Sequence, residues 1–218
     1  YIHWDLLVNE LLLVAIGAGI ALIFNLYMPK MVQQIKHDQA TIEEQFRKVL
    51  FCLAKTIRSR SVTIDEEVLF QSLADQLELA KVRAEHNRQN YLYDEMTYYA
   101  QYMEMRLMQY QVLIGMRQLL GKLQMTLDQS ILLADLTEHI ASSLHEFNTT
   151  DELMVETTQV LHIFRNQSLP KTREEFENRA MLFQYLNDVK HLLEIKRQFV
   201  MNLTEEQLQN FKPEASCS

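Results

Sequence analysis

Only four glycines and three prolines punctuate this chain of 218 residues, and no other feature limits its fold as strongly. Tight turns between strands draw on Gly, Asn and Pro, so an all-β chain of this length would lack the residues its turns need. Gly17 and Gly19 lie inside an apolar run, which leaves Gly115 and Gly121 for everything else. Neither G-x-G-x-x-G nor G-x-x-x-x-G-K occurs, which excludes the glycine-rich phosphate loops of nucleotide-binding folds. The expectation is an all-α protein of long helices. Its 48% apolar residues suffice for a sizeable core.

The apolar run is Leu6 to Met28, interrupted by Glu10, Asn9 and Asn25. As a helix, 23 residues reach roughly 34 Å, enough for a hydrocarbon core of about 30 Å. Trp4 and Tyr27 stand at its ends, as interfacial aromatics do. The reading is one N-terminal transmembrane helix over 1–29, followed by a helical bundle over 30–218. A signal peptide fits poorly, because the start is not basic and no small-residue cleavage site follows. A buried core helix is the alternative, since the uninterrupted apolar part, Leu11 to Phe24, has only 14 residues.

Net charge is −8, which argues against nucleic acid as a partner. Residues 30–60 run against that total, with Lys30, Lys36, Arg47, Lys48, Lys55, Arg58 and Arg60 facing Asp38, Glu43 and Glu44. Basic residues on this side of a span predict that 30–218 is cytoplasmic. Ala15 with Gly19, and Gly17 with Ala21, are small-x-x-x-small pairs that suit close helix packing, and Glu10 is a candidate polar group facing other protein. Expected partners are therefore the lipid bilayer, other transmembrane helices of the same protein and, as an option, a second copy. With no initiator Met, the chain reads as the C-terminal part of a larger protein.

Beyond Pro29, which is expected to end the first helix or open the second, helical periodicity is nearly continuous. Val32, Ile35, Ile42, Phe46, Val49, Leu50, Leu53 and Ile57 predict a helix over about 31–58. Further helices are expected over about 64–86, 92–120, 128–147, 151–166, 172–201 and 205–211. Three S/T-x-x-E capping boxes, at Thr63–Glu66, Thr149–Glu152 and Thr172–Glu175, mark helix starts. Short connections between long helices predict an antiparallel bundle.

Little of this carries chemistry. Tyr98, Tyr102 and Met105 form one stripe of a Tyr- and Met-rich segment, either the core of a central helix or an aromatic-lined pocket. No His-Glu-x-x-His or Glu-x-x-His occurs, only Asp188-x-x-His191, so no metal or other cofactor is expected. Cys52 lies on an apolar stripe and Cys217 near the end, without zinc or disulfide spacing. No catalytic constellation is legible, and the expectation is a protein that is not an enzyme.

Three stretches resemble one family. LPKTREEFENRAMLFQYLNDVKHLLEIKRQF (169–199), IGAGIALIFNLYMP (16–29) and YYAQYMEMR (98–106) are similar to the aromatic acid exporter family of Gram-positive type, covering its last span and C-terminal cytoplasmic domain. Members are multi-span proteins of the bacterial inner membrane, named as exporters of aromatic carboxylic acids, and the resemblance implies that location for this chain. The resemblance implies a regulatory or assembly role for the bundle, with transport chemistry elsewhere. It assigns no role to the signature residues Pro170, Thr172, Arg173, Glu175, Arg179 and Phe183. The alternative is a membrane-anchored helical sensor or protein-interaction module.

Overall fold

A computed structural model describes residues 4–59, 64–90, 94–124, 127–143 and 150–211. Among them run seven helices: α1 (Trp4–Ser59), α2 (Ile64–Asn90), α3 (Asp94–Leu120), α4 (Asp128–Ser143), α5 (Asp151–Arg165), α6 (Arg173–Met201) and α7 (Glu205–Phe211). The expected all-α character is present. The chain divides into two compact units, Tyr1–Ala40 and Thr41–Ser218.

The expected membrane span is not found among the described residues. Among the described residues, no helix is long and apolar enough to cross a membrane. The uninterrupted apolar stretch Leu11 to Phe24 covers only about 21 Å of helix against a hydrocarbon core of about 30 Å. Asn9 and Glu10 close it on one side and Asn25 on the other. This corrects the transmembrane helix over 1–29, and with it the lipid bilayer and other transmembrane helices as partners and the inner-membrane topology, all of which rested on it. Pro29 does not end a helix either, for α1 runs through it at the cost of one intrahelical hydrogen bond.

Within Tyr1–Ala40 the described apolar side chains from Val8 to Leu22 are largely uncovered, whereas Ile35 is buried. Val8, Leu11, Leu12, Leu13, Val14, Ile16, Ile20 and Leu22 are all more than half exposed. Glu10, Ala15, Gly17 and Ala21 are exposed too, and Gly19 half-buried. A Cβ built on Gly17 or Gly19 meets open space among the described residues.

In Thr41–Ser218 the second half of α1 is amphipathic as expected. Ile42, Phe46, Val49, Leu50, Leu53 and Ile57 recur at 3/4 spacing and are buried. α3 packs against α2 and α6 and touches α7; α6 also packs against α4 and α5, and α4 against α5. α3 and α6 are thus the central pair. Leu113, Met116, Tyr185, Leu186 and Leu193 are wholly buried along them, each apolar side chain contributing about 1.5–3 kcal/mol by leaving water.

The caps divide. Thr172 Oγ1 accepts from Glu175 N at 3.1 Å, as a capping box requires. The Glu175 carboxylate accepts from Lys171 N at 2.8 Å, one residue further back than the pattern implies. At α5 the N-cap is Thr150, with φ 68° and no side-chain cap; Thr149 lies outside the described residues, as do Thr63 and Cys217. A box absent from the sequence reading opens α7: Gln207 N donates to Thr204 Oγ1 (3.2 Å) and Thr204 N to Gln207 Oε1 (3.0 Å).

Candidate functional site

The Tyr- and Met-rich segment forms the N-terminal half of α3. Its 3/4 periodicity turns Tyr98, Tyr102 and Met105 inward, where they are 3%, 0% and 1% exposed, so no ligand reaches them without displacing core. Tyr98 and Tyr102 have near-parallel rings 6.3 Å apart. Both meet Phe199 of α6, at 5.6 and 6.1 Å between centroids. A half-open groove of about 660 Å3 lies nearby between α2 and α3, but it is lined by Lys81, Ala84, Glu85, Gln101, Met103, Glu104 and their neighbours rather than by these three.

What sequence reasoning missed is a charged cluster inside this aromatic packing. Arg106 and Gln109, one and two turns after Tyr102, are wholly buried. Glu43 of α1 accepts from Tyr102 Oη at 2.7 Å. Arg106 Nη2 donates to the same Glu43 oxygen, and Arg106 Nε to Tyr102 Oη at 3.1 Å. Arg106 Nη1 donates to Gln109 Oε1, whose Nε2 donates in turn to the Leu192 carbonyl of α6, both at 2.9 Å. The guanidinium lies 4.8 Å from the Phe46 centroid and 5.2 Å from that of Tyr102, within cation–π range. Lys196 of α6 is buried in the same core.

The electrostatics follow from this arrangement. Burial pushes the Glu43 carboxyl upward, but the Arg106 charge, the Tyr102 hydroxyl and Lys196 outweigh it and hold the group below its ordinary value of 4.5. Burial drives the Tyr102 phenol well above its usual range, with Arg106 opposing and Glu43 adding to the rise. Tyr102 is therefore neutral, and Glu43 is the counter-charge of Arg106. Burial alone would weaken the guanidinium's hold on its proton; Tyr102 and Glu43 raise it above its ordinary value. The signal available in the sequence was a basic residue at Tyr102 plus four, in the middle of an apolar stripe.

A second polar set ties α2 to its neighbours. Glu66 accepts from Thr56 Oγ1 at 3.3 Å and from Arg117 Nε at 2.7 Å. Its carboxylate thus faces α1 and α3.

The signature residues gather at the entry to α6. Arg173 pairs with Glu177 at 2.8 Å, and Arg179 reaches both Glu175 and the Ser168 carbonyl. Pro170 and Phe183 are half-buried and Ala180 is exposed. The buried face of α6 is instead Asn178, Leu182, Tyr185, Leu186 and Val189. These contacts fold the 166–172 connection onto α6; they bring no reactive group to a cavity. Cys52 is half-buried, and among the described residues no group of His, Cys, Asp and Glu could hold a metal ion.

Residues 33–197 match a family model described as "Putative aromatic acid exporter C-terminal domain". The chain is 29% identical over 196 residues to a Bacillus subtilis (strain 168) protein named "Uncharacterized protein YqjA", covering 88% of this chain and 59% of that relative. It thus spans less than two thirds of the relative's length. A solved chain titled "Crystal structure of putative membrane protein from Clostridium difficile 630" superposes with a TM-score of 0.71 at 24% identity, over 78% of this chain and 99% of that one. At that identity the likeness concerns the fold.

Proposed function

Because the chain belongs to the aromatic acid exporter C-terminal domain family, we propose that it serves an exporter-type protein as a helical protein-interaction module. The matched description is that of an exporter's C-terminal domain and names no catalytic activity. Support comes from what is buried and what is not. Tyr98, Tyr102 and Met105 are close-packed and buried, which supports a protein-interaction module over a small-molecule sensor at that segment. In contrast, the α1 stretch Val8–Leu22 presents apolar side chains on every side.

The exposed stretch is the observation that carries the proposal. Exposed apolar surface of this extent marks a place where another macromolecule docks. A stretch too short to cross a bilayer is best covered by apolar protein surface. Small residues at Ala15, Gly17, Gly19 and Ala21 would let such a partner approach α1 closely.

The test is covalent capture. A photo-reactive phenylalanine analogue at Leu12 of the full-length protein in cells is expected to yield a discrete protein adduct. The same analogue at exposed Gln71 of α2 is expected to yield none. Equal adduct yields at the two positions, or lipid adducts alone at Leu12, would count against the module.

A further inference from the structure

Glu43 holds a singular place in the buried cluster. One of its oxygens accepts from both Tyr102 and Arg106 of α3, and the relay through Gln109 ends on the main chain of α6 at Leu192. Phe46, one turn further along α1, lies against the same guanidinium. Residues 41–50 of α1 are thus seated on α3 and α6 partly through one carboxylate.

The far end of α1 is held by different means. Thr56 bonds Glu66 of α2, and Arg58 pairs with Asp135 and Glu138 of α4 at 2.8 and 2.9 Å. Neither contact passes through Glu43.

We propose that Glu43 is a charge-dependent latch: its ionised carboxylate seats residues 41–50 of α1 on α3 and α6, and neutralising it frees that stretch while Thr56 and Arg58 keep the end of the helix pinned to α2 and α4. The reason is electrostatic. Without the Glu43 charge, Arg106 keeps Tyr102 and Gln109, two neutral acceptors, for a wholly buried cation. A buried charge deprived of its counter-ion drives the surrounding structure to open.

Glu43 is also the member water can reach. Its side chain is 13% exposed, against 1% for Arg106. The groups facing its carboxylate are Tyr102 and Arg106 from α3 and Lys196 from α6. All of them favour the ionised form, so the latch holds above the ordinary carboxyl value of 4.5. It is lost as pH falls through the lower value of the folded state. The proposal stands independently of what the module binds.

Hydrogen exchange read by mass spectrometry on the whole chain tests it. In Glu43→Gln, amides of 41–50 are expected to exchange at least about 10-fold faster at neutral pH, the scale of a lost charge-assisted hydrogen bond. Amides of 53–58 and of α4 to α6 should keep their rates. Wild-type protein acidified through the folded-state value of Glu43, which lies below the ordinary 4.5, should open the same stretch, and Glu43→Gln should show no further pH response there. If that variant does not fold, Tyr102→Phe removes one of the two donors and should give a smaller acceleration in the same peptides. Acceleration spread evenly over all helices would reduce Glu43 to a general brace and overturn the latch; so would unchanged exchange at 41–50.

Discussion

Thr150 is a β-branched residue with φ at 68°, wholly buried, at the start of α5. Left-handed backbone costs a non-glycine residue about 1–2 kcal/mol, and glycine adopts it freely at a smaller entropic penalty. Thr150→Gly is therefore expected to stabilise the chain by about 0.5 kcal/mol in chemical denaturation. A loss above about 1 kcal/mol would mean that the threonine side chain outweighs the strain. Arg106 poses the opposite case. Arg106→Met leaves Glu43 charged and largely buried, and should cost about 3–5 kcal/mol. Adding Glu43→Gln should return at least about 1 kcal/mol, a coupling that a double-mutant cycle measures. Simple additivity of the two changes would show that the pair is not coupled. No apolar pattern reveals such a pair, because Glu43 and Arg106 are 63 positions apart and only the fold brings them together.

Among the elements, the ends of α6 and α5 teach different lessons from the same sequence pattern. Thr172 caps α6 through the bond from Glu175 N, so Thr172→Ala should lower stability by about 1 kcal/mol, read as a fall in the denaturation midpoint. An unchanged midpoint would mean that Arg179, by holding Glu175 and the Ser168 carbonyl, fixes the helix start unaided. At α5 the helix starts where expected, at Asp151, but Thr150 precedes it with left-handed backbone and no side-chain cap. Helix existence was legible throughout the bundle, since 3/4 periodicity directly records which face is buried. Pro29 was misread for a related reason. Proline forfeits only one donor and strains one turn, and α1 carries enough helical sequence on both sides to run through it.

For the whole molecule, the apolar run and the family resemblance point to different things. Residues 33–197 match the exporter domain, yet the run before them lies in an α1 that is not apolar for long enough to cross a bilayer. Hydropathy registers that Leu11 to Phe24 avoids water; it does not say whether lipid or protein covers it. The same limit hid the charged cluster, since Arg106 and Lys196 look like surface residues until α3 and α6 pack around them. Legible in the sequence were the all-α bundle and its helices. Illegible were the tertiary facts: the Glu43 relay and the uncovered surface of Val8–Leu22.

That uncovered surface gives the most direct test of the interaction reading. Adduct yield from the photo-reactive residue at Leu12 should be compared with and without Ile16→Glu, which places a charge one turn away on the same exposed helix. A discrete protein adduct is expected, which Ile16→Glu abolishes while the thermal unfolding of Thr41–Ser218 stays unchanged. Adducts of equal yield in both proteins, or none in either, would contradict the interaction reading.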